Sequence, residues 1–290
     1  MAKLIFGCGY LGLRVARLWR LSDERVLAVT RTAERAAQLA AEGLEPLIAD
    51  IAANAELQLP QEVRTVLFAV GYDRAASRSI HEVYAGGLAN VIRQLPEPVE
   101  KVIYISSTGV YGQVTEGEVD EDSPCHPTRE GGKACLAAEQ VLQGSRFGPR
   151  SIFLRLAGIY GKGRIPRSGD LVAGKPIDAP DAGWLNLIHV EDAARIVLSA
   201  EERAAVPRTF VVSDGQPVQR GDYYAELARL LGAPPPRFVP PDANSTAALR
   251  AASDKRVQPR RMFSELRPVL AYPSYREGLA AAVVANSFNP

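Results

Sequence analysis

Apolar residues along this chain gather in short runs that alternate with stretches where they recur every three or four positions. Lys3–Phe6, Arg25–Thr30, Pro46–Ile51, Val63–Gly71, Lys101–Ser107 and Ser151–Ala157 read as strands. Between them, Leu13, Val15, Ala16, Leu18 and Trp19 mark an amphipathic helix, and Ala33–Glu42, Ile80–Gln94 and Ala134–Gln143 predict further helices. Such alternation predicts an α/β fold with a parallel sheet wound on both faces, whose ligands lie beyond the carboxyl ends of the strands. After Gly158 the rhythm breaks. Residues 161–180 are rich in Gly and Pro, and Pro234-Pro235-Pro236 and Pro240-Pro241 punctuate the last third of the chain, which predicts a smaller, loop-rich C-terminal substrate lobe. There Arg220–Leu231 reads as a helix stopped by Gly232, with Tyr223, Leu227, Leu230 and Leu231 on its apolar side. The expected organisation is a sheet domain of residues 1–160, rejoined by 184–213, and a smaller lobe of 161–183 and 214–290.

The first strand runs directly into Gly7-Cys8-Gly9-Tyr10-Leu11-Gly12, and the first helix comes at once after it. Strand, glycine turn and helix in this order form a dinucleotide-binding fingerprint of the Rossmann type. Gly7 and Gly9 permit the tight turn and let backbone approach a pyrophosphate, Gly12 lets the helix pack close to the strand, and the helix N-terminus faces the anion beside Tyr10 and Leu11.

Composition narrows the function. Lys and Arg number 34 against 33 Asp and Glu, so the chain carries no electrostatic footprint for nucleic acid. With 47% apolar residues a sizeable core is available. Cys8, Cys125 and Cys135 lack metal-ligand spacing and do not cluster with His81, His126 or His189, so free or buried thiols in a reducing compartment are expected, with no metal site. Arg14, Arg17 and the glycines interrupt any signal-peptide core, and no run approaches the ~18 apolar residues of a membrane span. The expectation is a cytoplasmic protein, monomer or homodimer, acting on a small molecule.

The tip of the second strand bears on which dinucleotide is bound. An Asp or Glu there accepts the ribose 2′-hydroxyl of NAD, whereas a 2′-phosphate needs positive charge. This strand ends Thr30-Arg31-Thr32, with Arg35 one turn further on and no carboxylate at the tip. That pattern favours NADP over NAD.

Several ordered motifs together carry a family resemblance: the Gly loop, Ser106-Ser107-Thr108-Gly109-Val110-Tyr111-Gly112, Leu154-Arg155-Leu156-Ala157-Gly158-Ile159-Tyr160-Gly161, Asn186-Leu187-Ile188-His189-Val190-Glu191-Asp192-Ala193, Ser213-Asp214-Gly215, Lys255-Arg256-Val257 and Tyr272-Pro273. The chain resembles, over nearly its whole length, an extended or atypical short-chain dehydrogenase/reductase of the NAD-dependent epimerase/dehydratase type. The resemblance implies that Asp50 and Ile51 contact adenine and that Ala69, Val70 and Gly71 run beside the cofactor. It places Ala157, Gly158 and Ile159 at the nicotinamide end and Ser107 at the catalytic Ser/Thr position. Thr108, Tyr72, Asn186 and Arg256 are candidates to face the substrate. Phe6 stands where the extended family commonly has a further Gly, which matches the plain glycine loop of atypical members.

The family's general acid/base Tyr and the Lys four residues later have no clear counterparts. Aligning Ala137-Ala138-Glu139 with the family's closing Ala-Ala-Glu puts Gly131 at the Tyr position and Cys135 at the Lys position. Sliding by two brings Lys133 to the Lys position but Arg129 to the Tyr position. Since a positioned acid/base contributes about 10² to 10⁴ in rate, a substitute is needed, and Lys133, Tyr111, Tyr72 and Cys135 are the candidates. The adjacent Gly131-Gly132 pair, each costing roughly 1 kcal/mol in a helix, suggests that a ligand or a neighbouring backbone needs the space, or that the first turn is not helical. The expected function is hydride exchange on a small-molecule substrate by an enzyme with a non-standard active site. The alternative is a non-catalytic NADP(H)-binding sensor or regulatory protein.

Overall fold

The structure is a computed structural model that describes residues 1–53, 56–73, 75, 77–112, 117–242, 245, 248 and 254–287. Its centre is a seven-stranded parallel sheet built from β1 (Ala2–Phe6), β2 (Arg25–Thr30), β3 (Glu45–Ile48), β4 (Val63–Phe68), β5 (Lys101–Ser107), β7 (Ser151–Leu156) and β12 (Arg208–Val212), in the spatial order β3-β2-β1-β4-β5-β7-β12. The chain winds outward from β1 in one direction to β3, then crosses back to β4 and proceeds the other way. The reversal opens a crevice between the carboxyl ends of β1 and β4, which run in register from Lys3 beside Thr65 to Phe6 beside Phe68.

Side-chain alternation places a core on each face. Ala2, Leu4 and Phe6 of β1 join Val102 and Tyr104 of β5 on one side, under α3 (Gly87–Gln94) and α4 (Glu130–Gln143). Ile5 and Ile103 point the other way, against α1 (Gly12–Leu21) and α6 (Val190–Arg203). A separate apolar cluster joins Tyr160, Ile177, Leu187 and Val218 with α7 (Arg220–Leu231) and α8 (Tyr275–Ser287). Short strand pairs complete this region: β8 (Gly158–Tyr160) with β11 (Leu187–His189), β9 (Ile177–Asp178) with β14 (Phe238–Val239), and β10 (Trp184–Leu185) with β13 (Val218–Gln219). β6 (Glu118–Val119) pairs with β15 (Arg256–Val257), and α5 (Ser168–Val172) lies within the Gly- and Pro-rich segment.

The doubly wound parallel sheet agrees with the sequence reading, and its element boundaries differ at informative places. β3 ends at Ile48 rather than Ile51, because Asp50 Oδ1 accepts from Ala52 N–H and starts a tight turn over Ile51–Ala53. Pro46 is tolerated because β3 is the sheet edge. β4 stops at Phe68, so residues 69–71 form a loop rather than strand. Residues 82–86 form a wide turn within the helix expected at Ile80–Gln94. α4 starts at Glu130, four residues before the predicted Ala134, so Gly131 and Gly132 are helical after all. α7 and its stop at Gly232, which has φ +61°, agree with the prediction. No helix among the described residues is long and apolar enough to cross a membrane.

Candidate active site

The Gly loop turns between β1 and α1 because Gly7 takes φ +88°, where a side chain is strained, and because no Cβ would fit: one on Gly7 would stand 2.4 Å from the Ala69 carbonyl oxygen. Gly12 is equally constrained, its Cβ position lying 2.4 Å from the Gly7 carbonyl oxygen. Gly9 differs from both, since its Cβ position has nothing within 4 Å. α1 begins with no side-chain cap and no acidic residue in its first turn. Gly7 therefore sets the loop against the residue that follows β4, Gly12 seats α1 on the loop, and Gly9 leaves open space just ahead of the uncapped helix N-terminus. This arrangement fits a pyrophosphate. Tyr10 is held beside the loop, with the guanidinium of Arg14 4.4 Å and that of Arg164 5.5 Å from its ring centre.

Around the loop the structure gathers the expected dinucleotide residues. The Ala69 amide donates to the Phe6 carbonyl at 2.8 Å, so residues 69–71 leave the sheet directly beside Gly7. Thr30 ends β2, and its carbonyl accepts from the Ala49 amide at 2.8 Å, which brings Asp50 and Ile51 alongside. Arg35 lies over the loop, donating to the Cys8 carbonyl at 2.9 Å and to Gln38 at 2.7 Å. Arg31 is largely exposed, 3.6 Å from the Asp73 carboxylate. Thr32 caps α2 (Ala33–Ala41) by accepting from the Arg35 amide.

Beyond β5, Ser107 Oγ accepts from the Gly109 amide at 3.0 Å and starts a tight turn over Thr108–Val110. Directly under this turn runs α4, and Gly132 is what lets it come so close: a Cβ there would lie 2.1 Å from the Gly109 carbonyl oxygen. Gly131, by contrast, has only Ile80 Cδ1 near its Cβ position, at 4.0 Å. Of the two glycines, Gly132 makes room for a neighbouring backbone and Gly131 does not.

Of the four side chains expected as acid or base, Lys133, Tyr111 and Tyr72 each have another partner and Cys135 is buried. Lys133 points outward and bonds Glu130 at 2.7 Å. Tyr111 is 1% exposed, and its hydroxyl accepts from Arg155, whose guanidinium forks onto Glu139 at 3.0 and 2.7 Å; Ser106 Oγ also donates to Glu139. Burial pushes the Tyr111 hydroxyl well above its ordinary range. Cys135 is buried one turn along α4 from Gly131, and burial raises its thiol to about 11, so it stays protonated at neutral pH. Tyr72 donates to the Arg78 carbonyl at 3.1 Å.

Next to β5 in the sheet, Ala157, Gly158 and Ile159 lead from β7 into β8, where the Gly158 amide donates to the Asn186 carbonyl. Rather than standing free toward a substrate, Asn186 clamps the segment containing β15: its Nδ2 donates to the Lys255 carbonyl and its Oδ1 accepts from the Val257 amide, both at 2.8 Å. Arg256 lies over the Trp184 ring at 5.4 Å. His189 is 3% exposed, with Nδ1 accepting from the Glu191 amide and its ring against Tyr160 and Tyr272. Burial lowers its pKa and keeps it neutral, a structural role.

Two residues around the segment that follows β5 were not picked out as site candidates by sequence reasoning. Arg129 precedes α4, with Nη2 3.7 Å from the Cβ position of Gly109, and Lys255 is buried with its ammonium donating to the Tyr111 carbonyl at 2.9 Å. The available signal was a lysine within an otherwise recognisable late motif and an arginine just ahead of a helix at a strand's carboxyl end.

Comparison with known proteins gives the family and the fold. Residues 4–213 match the profile described as the NAD dependent epimerase/dehydratase family. Protein YeeZ of Escherichia coli K12 is 35% identical over 148 residues, 50% of this chain and 51% of that protein, so the matched stretch spans about half the length of this curated relative. The structure of a functionally unknown conserved protein from Silicibacter pomeroyi aligns over 98% of both chains with a TM-score of 0.79 and 29% identity. A UDP-glucuronic acid 4-epimerase from Bacillus cereus, solved with NAD, aligns over 99% of both chains with a TM-score of 0.79; at 18% identity that likeness is one of fold.

Proposed function

Because the chain belongs to the NAD dependent epimerase/dehydratase family, we propose that it is an NADP(H)-preferring oxidoreductase of the atypical short-chain type, with a non-standard active site and a small-molecule substrate. The observation that carries this reading is the cradle formed by the Gly loop, the uncapped start of α1 and the loop after β4, flanked by Arg31 and Arg35. The Arg31 pairing with Asp73 is exposed and at 3.6 Å, so it is worth about 0–1 kcal/mol at most and yields readily to a phosphate. Arg35 already lies across the loop, its fork presented near the tip of β2.

When bound, the nicotinamide supplies or accepts a hydride. The chain's own contribution begins with Ser107, whose hydroxyl accepts from Gly109 and keeps its proton to donate to a substrate oxygen. On the alignment that puts Gly131 and Cys135, one turn apart on α4, at the family's Tyr and Lys positions, neither supplies the usual acid/base pair, and burial raises the Cys135 thiol to about 11. A sensor would need no hydrogen-bond donor at the end of β5, so the placement of Ser107 favours the enzyme. Calorimetric titration of the cofactor-stripped protein with NADPH and with NADH tests the reading. Tighter binding of NADPH is expected, and binding of neither nucleotide to folded protein would overturn it.

A further inference from the structure

The segment that leaves β8 meets the Gly loop at a side-chain stack. Arg164 lays its guanidinium 5.5 Å from the ring centre of Tyr10, the residue that directly follows Gly9. Arg14 also lies over this ring, at 4.4 Å, but its donors are taken up: Nε donates to Glu191 at 2.6 Å and Nη1 to the Tyr10 carbonyl at 2.7 Å. Arg164 is exposed, and among the described residues no carboxylate lies within ion-pair distance of its guanidinium. Residues 161–167 carry Lys162, Arg164 and Arg167 and no acid.

The fold imposes this placement. Gly161 and Arg164 exchange two backbone hydrogen bonds, 3.1 and 2.9 Å long, in an antiparallel bridge that turns the chain back over Lys162 and Gly163. Gly161 closes onto His189 and Val190, where a Cβ would stand 2.9 Å from each side chain. Asn286 of α8 accepts from the Gly163 amide at 2.9 Å. The backbone that presents Arg164 is therefore ordered in advance, and using its side chain costs little further ordering. Tyr10 is fixed as well. Its hydroxyl is buried without a hydrogen-bond partner among the described residues, and its body packs on the core that includes α1. The glycines next to the stacked pair are open: neither Gly9 nor Gly163 has anything within 4 Å of its Cβ position.

A guanidinium stacked on an aromatic ring keeps the N–H donors of its planar fork available, and a phosphate accepts from such a fork by charge-assisted, bidentate bonds. Arg35 approaches the Gly loop from the β2 side, through the Cys8 carbonyl, and Arg164 approaches it from the β8 side. We propose that Arg164 is a binding residue for the pyrophosphate of the dinucleotide, carried to the Gly loop by the segment after β8 and positioned there by Tyr10, so that the bound dinucleotide ties that segment to the loop. The inference rests on the dinucleotide reading and extends it to the Gly- and Pro-rich segment, where sequence spacing places no cofactor contact.

The test titrates NADPH, NADH and ADP-ribose calorimetrically onto the full chain. NADH lacks the 2′-phosphate, and ADP-ribose keeps the pyrophosphate but lacks the nicotinamide. Arg164→Ala is expected to weaken all three by about ten-fold, as for loss of a charge-assisted contact, with a melting temperature near that of the wild type. Arg164→Lys should recover part of the loss. Tyr10→Leu should weaken binding when Arg164 is present and add little to Arg164→Ala, because a positioning residue acts through its partner; a fully additive loss removes Tyr10 from that role. Wild-type affinity for NADPH in Arg164→Ala overturns the proposal, and if the melting temperature falls at the same time the stack serves stability alone. A loss confined to NADPH, which puts Arg164 at the 2′-phosphate, or one that spares ADP-ribose, which puts it at the nicotinamide end, overturns it as well. If none of the three binds the folded wild type, the dinucleotide reading itself falls, a result distinct from equal binding by wild type and variant.

Discussion

Gly132 packs against Gly109 so closely that a Cβ on Gly132 would stand 2.1 Å from the Gly109 carbonyl oxygen, and this contact seats the start of α4 under the turn that follows Ser107. Its neighbour Gly131 has open space on the same scale. Gly132→Ala should therefore cost about 1–3 kcal/mol through overpacking against backbone. Gly131→Ala should raise stability by about 0.5–1 kcal/mol, because it removes a helix glycine at no steric cost. Urea denaturation of the two variants checks the opposite signs; equal effects would mean that α4 does not approach the turn as described.

A second pair of glycines separates binding from folding. Gly9 is exposed with nothing within 4 Å of its Cβ position, whereas Gly12 is pressed on the Gly7 carbonyl. Gly9→Val should abolish NADPH binding while leaving the melting temperature near that of the wild type. Gly12→Ala should lower the melting temperature. Fluorescence titration with NADPH alongside thermal melts distinguishes them, and full NADPH affinity in Gly9→Val would rule out the loop as the pyrophosphate site.

Arg31 is the more exposed of the two arginines near the tip of β2. Arg31→Ala is expected to weaken NADPH by about ten-fold, ~1.4 kcal/mol, and to leave NADH unchanged. Raising the ionic strength should shrink the difference, since an exposed phosphate contact is screened. A loss that falls equally on both nucleotides would place Arg31 away from the 2′-position.

Asp214 gives a pH signature. It is 4% exposed, its Oδ1 accepts from the Gln216 amide at 2.9 Å, and its Oδ2 is buried without a hydrogen-bond partner among the described residues. Burial, with smaller contributions from Asp192 and Glu277, raises its pKa from 3.8 to about 7. The folded state therefore holds this proton where the unfolded state has released it, so the stability contribution is present below pH 3.8 and is lost as pH rises to about 7. Asp214→Asn should leave stability nearly unchanged near pH 3 and exceed the wild type by roughly 1–3 kcal/mol at pH 8, measured by denaturant unfolding at each pH. A difference that stays flat across this range would show that Asp214 is ionised in the fold.

The sheet was largely legible because its strands are apolar runs whose burial the pattern reports directly. β12 escaped notice: its apolar stretch is only Phe210-Val211-Val212, behind Arg208 and Thr209, and it becomes a strand because β7 offers it a ladder from Arg208 beside Ile152 to Val212 beside Leu156. α8 was missed as well, because its Ala- and Val-rich face finds its partners only in the fold, on α7 and Tyr160. At the candidate site, local spacing identified the Gly loop and the β2 tip. It did not show that Lys133 turns outward to Glu130 or that Asn186 braces the chain around Lys255.

What the sequence by itself determined is whatever depends on neighbours in the chain: strand and helix periods, the strand-glycine-helix order around Gly7 to Gly12, and the missing acid at the end of β2. The tertiary structure decided what depends on residues far apart. It tied the hydroxyl of Tyr111 to the buried Arg155 and Glu139, and it brought Lys255 to the carbonyl of Tyr111 across 144 positions of sequence. Periodicity specifies which face of an element is buried. Which distant group meets that face is set by the packing of whole elements, and no local pattern encodes it.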